Sequence, residues 1–229
     1  KETAESLKPY YNQFCKRPCF HDEYLQTFNL PNVELIDTDG RGLSKISEKG
    51  IVFEGKEYEV DCIIFATGFE VGTDYSRRAG YQIYGVDGVS ISEKWQAGLS
   101  TFHGMHSKGF PNCFFFGPAQ SGFTATYTYS LDEQSIHLAY ILKSAKEKGF
   151  SRIEASQEAE DKWVQTIIEK ARLTADFQEK CTPGYYNNEG KVNQNPQNNT
   201  YGAGPIEFFA LMKKWRSKGA LEGLELTNP

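Results

Sequence analysis

Two apolar runs along this chain do not alternate. Asp61-Cys62-Ile63-Ile64-Phe65-Ala66-Thr67-Gly68-Phe69-Glu70 stops abruptly at Ala-Thr-Gly, and Cys113-Phe114-Phe115-Phe116 stops at Gly117-Pro118. Apolar runs of about 4–8 residues bounded by breakers read as strands. Lack of alternation implies burial on both faces, the habit of a parallel sheet. Val33 to Asp37 predicts a further strand, and Gly50 to Phe53 with Lys56 to Val60 predicts a hairpin turning at Glu54-Gly55. Glu23 to Phe28 predicts a helical turn. Three longer stretches carry helical spacing. The first runs from Leu131 to about Ala145 with Ile136, Leu138, Tyr140, Ile141 and Leu142 as its apolar stripe. The second is Glu154 to Arg172 with Ala155, Ala159, Trp163, Ile167 and Ile168, and the third starts at Pro205 and ends near Gly219. Between them, Cys181 to Asn199 is a long polar loop with no local structure of its own, the kind that is functional or disordered.

Composition narrows the class. With 39% hydrophobic and 14% aromatic residues in 229, there is ample material for a core. A net charge of -5, without a basic stripe, argues against a nucleic-acid surface. No apolar run approaches the roughly 18–20 residues that span a bilayer, and Lys1-Glu2-Thr3-Ala4-Glu5 has no signal-peptide pattern. The five cysteines are scattered, and Cys62 and Cys113 sit in apolar runs as expected core residues. Cys15 and Cys19 lack a matching Cys or His pair, and His103 and His106 lack a third ligand in register, so no metal site is expected. A reduced, soluble, cytoplasmic protein without membrane or nucleic-acid partners is the expectation.

Two places carry candidate chemistry. A strand ending in Ala66-Thr67-Gly68 leaves room for a ligand against the backbone, and nucleotides lie beyond the carboxyl ends of strands in open α/β sheets. Phe116-Gly117-Pro118, a small polar turn and then a helix would aim backbone amides and a helix dipole at an electron-rich group. An ordinary strand-to-helix connection has the same local pattern. The chain has no Gly-x-Gly-x-x-Gly and no phosphate-binding P-loop, so a nucleotide-dependent reading needs an unusual site or an amino-terminal partner.

Several motifs occur in an order that resembles one family. They are Phe14-Cys15-Lys16-Arg17-Pro18; Tyr24 to Asn29 with Pro31-Asn32-Val33; Asp61 to Glu70; Glu93-Lys94-Trp95; Gly109-Phe110-Pro111-Asn112; Phe116-Gly117-Pro118; and Glu133-Gln134. More loosely, Pro183 to Asn188 and the terminal helix continue the series. The ordered set resembles the carboxyl-terminal portion of a Baeyer–Villiger monooxygenase, within the wider group of flavin-dependent monooxygenases.

The resemblance implies an α/β fold: the carboxyl-terminal part of an FAD/NAD(P)-binding, Rossmann-like, three-layer architecture that lacks the dinucleotide fingerprints. It implies that residues 1–65 close an NADPH-binding domain and that 66–229 belong to an FAD-binding domain with loops that cover substrate and NADP. Ala66, Thr67 and Gly68 would border the FAD; Gly117, Pro118, Tyr127 and Thr128 would lie at the flavin ring. Gln120, Ser121 and Phe123 fall in the substrate-side bulge, and Tyr185 and Asn187 in a mobile loop that folds over NADP+. That loop lacks the family's common tryptophan. The catalytic arginine and both dinucleotide motifs would lie outside these residues, so no catalytic residue is expected here and the chain is expected to be inactive alone. The implied reaction uses FAD and NADPH to insert one oxygen atom from O2 into a ketone, through a flavin C4a-peroxide. An enzyme oxygenating sulfur or nitrogen, another FAD/NAD(P) oxidoreductase, and a non-enzymatic α/β binding module remain the alternatives. The implied partners are a ketone or sulfide substrate and an amino-terminal half, with self-association of the chain when that half is missing.

Overall fold

A computed structural model describes residues 1–71, 73–171, 175–192 and 195–228. The chain divides into two compact units, one of Lys1–Gly72 with Gln178–Gly190, the other of Thr73–Phe177 with Lys191–Pro229. The division by contacts thus falls after residue 72 and assigns 178–190 to the first unit, whereas the sequence placed a boundary at 65/66.

The first unit contains helices α1 (Glu2–Ser6) and α2 (Tyr24–Thr27) and an antiparallel sheet of strands β1 (Lys45–Ile46), β2 (Gly50–Phe53) and β3 (Lys56–Glu59), in that order. The β2–β3 hairpin forms where expected. Its two turn residues, Glu54 (φ 49) and Gly55 (φ 81), are both left-handed, which matches the right-handed twist of the strands they join. Gly50 is needed at its position because a Cβ there would stand 2.0 Å from the Tyr58 carbonyl oxygen across the pair.

Neither Val33–Asp37 nor Asp61–Gly68 forms a strand. The latter is also not buried: Ile64 is 85%, Phe65 71% and Phe69 86% exposed. A strand apolar on both faces needs neighbours in the sheet and layers above and below it. Among the described residues every strand pairing is antiparallel, and none of the pairs includes this run. Cys62 is accordingly exposed rather than in a core. The expectation of a fully reduced chain is also corrected, since Cys15 and Cys181 form a disulfide.

The second unit contains α3 (Tyr75–Ala79), α4 (Ile91–Lys94), α5 (Tyr127–Glu147), β4 (Arg152–Ala155), α6 (Gln157–Lys170), α8 (Pro205–Lys218) and β5 (Leu224–Thr227), while α7 (Ala175–Glu179) spans the junction at 177/178. Strands β4 and β5 pair antiparallel with Arg152 opposite Thr227. The single helix expected over 154–172 is therefore a strand followed by a helix. Glu154 and Ala155 pair with β5, and the Ser156 side chain accepts the Ala159 amide to start α6. Arg172 lies outside the described residues. The terminal helix ends at Gly219 in the left-handed conformation, as expected.

The main core joins Ile141 and Ala145 of α5, Ile153 and Ala155 of β4, Trp163 and Ile167 of α6, and Phe208, Met212 and Trp215 of α8. The buried face of α5 is Ser130, Gln134, His137, Ile141 and Ala145. Of the apolar stripe expected there only Ile141 is on that face, while Ile136 and Leu142 are 46% and 44% exposed. Polar residues hold the inward positions because loops meet this face with backbone groups that need partners. A smaller cluster of Ile91, Phe110 and Phe115 lies under Tyr75, Ile83, Trp95 and half-buried Cys113. Cys113–Phe116 is irregular rather than a strand, with the Phe115 amide donating to the Met105 carbonyl at 2.9 Å.

Candidate functional site

In the second unit the candidate residues from Gly117 to Thr128 form one continuous feature, a loop folded onto the start of α5. Gln134 holds it. Its Oε1 accepts the Gly117 amide at 3.3 Å, and its Nε2 donates to the Gly117 carbonyl at 2.9 Å and to Ser121 Oγ at 3.0 Å. Farther along, the Thr124 amide donates to Ser130 Oγ at 3.1 Å. The helix begins at Tyr127, after Thr126 as its N-cap, with no side-chain cap and no acidic residue in its first turn. The Tyr129 amide turns back to the Thr126 carbonyl at 3.0 Å, which leaves the Tyr127 and Thr128 amides for an electron-rich group, supported by the dipole of a 21-residue helix. Around this end Phe116, Phe123 and Tyr127 are 41%, 41% and 37% exposed, with the Phe123 and Tyr127 rings 5.8 Å apart. Desolvation pushes the Tyr127 hydroxyl pKa up, against an opposing effect of the Arg78 charge. Thr128 is exposed beside it, and Gly117 and Pro118 are half-buried.

Gln120 and Ser121 do not line an open surface, since both are completely buried. Gln120 Oε1 accepts the Thr101 amide at 3.1 Å, and its Nε2 donates to the Leu99 and Gln197 carbonyls at 2.6 and 2.9 Å. Its own carbonyl accepts Trp163 Nε1 at 3.1 Å. Every polar atom of the side chain is engaged, so in this arrangement Gln120 shapes the loop and Phe123 is the member of that trio facing outward. The same contacts correct the view of the Asn-rich stretch as unstructured. Pro196–Asn198 forms a 3-10 turn, and Asn198 Oδ1 accepts the Leu99 amide at 2.7 Å.

The remaining candidates lie in the first unit. Ala66, Thr67 and Gly68 are exposed and irregular, Gly68 has φ 96, and a Cβ added to it would meet nothing within 4 Å. The approach along this backbone is therefore open. Asn187 is 4% exposed and organises its loop: Oδ1 accepts the Gly184 and Gly190 amides at 2.9 and 3.1 Å, and Nδ2 donates to the carbonyls of Gln178, Cys181 and Thr182 at 3.2–3.3 Å. Tyr185 belongs to a 3-10 turn, but its side chain lies outside the described residues.

Two buried polar groups gave no signal as such in the sequence. Glu160, fully buried on α6, accepts from Lys94 Nζ at 2.8 Å, Ser100 Oγ at 2.6 Å, the Lys108 amide at 2.6 Å and Ser107 Oγ at 3.2 Å. It closes the 94–108 segment onto the helix. His103, His106 and His137 are at most 3% exposed, and one ring nitrogen of each has no hydrogen-bond partner. Burial pushes all three pKa values down, His106 to about 4 and His137 to about 3, so the rings are neutral core aromatics. No group of three metal-ligating side chains occurs among the described residues.

No protein-family model matches the chain. Known proteins match it over nearly its whole length. Neopentalenolactone D synthase of Streptomyces avermitilis is 49% identical across 99% of this chain and 39% of its own length. A Baeyer–Villiger monooxygenase of Stachybotrys chlorohalonatus is 45% identical, with 98% of this chain and 36% of the relative covered. Among solved structures, the polycyclic ketone monooxygenase of Thermothelomyces thermophila superposes with a TM-score of 0.89 at 37% identity, covering 99% of this chain and 37% of that one. The structure of OTEMO in complex with FAD and NADP matches with a TM-score of 0.72 at 25% identity, over 99% of this chain and 41% of that one. The chain spans less than half the length of each of these relatives. In sequence and in fold it is similar, along nearly all of its own length, to a part of known Baeyer–Villiger and polycyclic ketone monooxygenases.

Proposed function

We propose that the chain is part of an FAD- and NADPH-dependent monooxygenase that inserts one oxygen atom from O2 into a ketone, and that it is inactive alone. The supporting observation is a near-complete match to less than half of each relative, with 0.89 as the TM-score to a polycyclic ketone monooxygenase. That name favours a bulky polycyclic ketone as substrate. Residues 1–65 would close the NADPH-binding domain and 66–229 would belong to the FAD-binding domain. Bound FAD would supply the transfer of reducing equivalents from NADPH to O2.

The residues present fit that cofactor. The uncapped α5 terminus beside Gly117-Pro118 offers amide donors and a positive dipole end for an electron-rich ring. Gln134 and Ser121 engage both the amide and the carbonyl of Gly117, so the loop beside the α5 terminus is shaped before anything binds. Tyr127 and Thr128 would stand at the ring edge, and Phe123 would present an apolar wall to the ketone. Ala66, Thr67 and Gly68 would allow the dinucleotide to pass close to backbone. Asn187 would position the loop carrying Tyr185 over the nicotinamide.

The test uses the complete protein. It should purify yellow, oxidise NADPH faster when a polycyclic ketone is added, and yield a product heavier by one oxygen atom that carries label from 18O2. A complete protein that holds no flavin overturns the proposal, and turnover of sulfides but no ketone would replace it with a sulfur-oxygenating function. The 229-residue chain alone should show no NADPH oxidation.

A further inference from the structure

Two segments distant in sequence are covalently joined in the first unit. Cys15 and Cys181 are 166 positions apart, with their Cα atoms 5.2 Å from each other. That separation lies in the range of about 4.4–6.8 Å over which a disulfide can form without moving the backbone. Cys15 is buried at 4% exposure and Cys181 is half-buried. Beside the bond, Lys16 Nζ donates to the Pro183 carbonyl, and a Cβ on Gly184 would stand 2.7 Å from that nitrogen. From Gln178 to Gly190 the loop is knit together by Asn187, through hydrogen bonds to five backbone groups. It is therefore a small ordered body of its own, and the disulfide is the covalent part of its seam with residues 15–16.

We infer that Cys15–Cys181 is a redox-controlled tether, which holds the 178–190 loop against the amino-terminal segment when oxidised and releases it when reduced. The chemistry is thiol–disulfide exchange. One protein thiolate attacks a sulfur of a disulfide oxidant such as glutathione disulfide and expels one thiolate. The second protein thiol then attacks the protein sulfur of that mixed disulfide, forming the Cys15–Cys181 bond and expelling the other. The two protein thiols together lose two electrons and two protons, and the oxidant becomes two thiols. A dithiol reductant runs the sequence backwards. The remaining cysteines are free thiols, Cys19 and Cys62 exposed and Cys113 half-buried, so the link is specific to one pair. The Lys16 hydrogen bond is exposed and exchanges readily with water, so it does not replace the covalent restraint once the bond is cut. Resting on the function proposed above, the tether sets how freely the loop can close over NADP+.

The complete protein, equilibrated in glutathione buffers of stepped redox ratio, alkylated and mapped by mass spectrometry, tests this directly. A peptide linking Cys15 and Cys181 should accumulate in the oxidising buffers. Amide exchange across 178–190 should be about tenfold slower in oxidised than in reduced protein, the mark of a suppressed local opening. Cys15→Ser and Cys181→Ser should exchange at the reduced rate in either buffer, while Cys19→Ser should still respond. The wild-type comparison stands even if a serine variant does not fold. Absence of the linked peptide at every ratio, or exchange that ignores the redox state, overturns the tether. An NADP+ titration in both states separates this from the underlying function. If the loop responds but NADP+ affinity does not change, the tether stands and the role of the loop as an NADP+ cover falls.

Discussion

Gln134 shows why a buried helix position can favour an amide over an aliphatic side chain. It meets a carbonyl, an amide and a hydroxyl of a loop that would otherwise be buried without partners. Replacing Gln134 with Leu keeps much of the volume and strands those groups. The expected loss is about 2–4 kcal/mol of stability, read as a lower urea midpoint. Glu160 is a stronger case, because it is ionically paired to Lys94 and accepts from three further donors. Glu160→Ala leaves Lys94 without its buried partner and should cost roughly 3–5 kcal/mol in the same measurement. The buried histidines predict a pH dependence. His106 has a pKa of about 4 in the folded protein and about 6.5 when unfolded. The unfolded chain therefore takes up a proton that the folded core refuses. Stability from this source is complete above pH 6.5 and is lost as pH falls toward 4, by about 3 kcal/mol for His106. His106→Gln should flatten the slope of unfolding free energy between pH 6.5 and 5. At this scale the sequence was legible mainly for small residues: Gly55 announced its turn, whereas nothing near Glu160 distinguishes it from a surface residue, and Glu133-Gln134 stood out only as a motif, without its buried role. Their role exists only because another segment arrives opposite them.

At the scale of elements, local signals located the three long helices, the short α2 and one hairpin. Ser156 and Gly219 bound α6 and α8, and the left-handed pair Glu54-Gly55 closes β2 onto β3. Gly50→Ala should break that hairpin, since its Cβ would fall within bonding distance of the Tyr58 carbonyl. The expected readout is loss of the amide-exchange protection shared by Gly50 to Glu59, with α5 to α8 unaffected. What local pattern could not locate was the phase of α5. The apolar stripe suggested one face, and the loops carrying Gly117, Ser121 and Thr124 selected another. Nor could it reveal β4, where Glu154 and Ala155 become a strand only by pairing with Glu225 and Leu224, about seventy positions away.

For the whole molecule, the exposed run from Ile64 to Phe69 is a partnerless apolar segment. The 229 residues by themselves should self-associate, seen as a concentration-dependent mass in sedimentation. Phe65→Ser with Phe69→Ser should shift that equilibrium toward monomer. A monodisperse single chain would instead mean that this run is covered in a way the fold does not show.

The sequence by itself determined the order of motifs, the α/β class and both ends of the terminal helix, because a Pro start and a Gly stop act on neighbours a few residues apart. It also marked Asp61–Gly68 as a strand in composition. Only the tertiary structure decided which of those signals is realised. The 61–68 run stays open because no described strand lies beside it. Gln120 and Ser121 turn inward because the 97–101 and 195–199 segments close over them. Cys15 meets Cys181 because the loop of Asn187 folds back to the first unit. Each of these depends on residues far apart in the chain, and no local pattern encodes which distant segment will arrive.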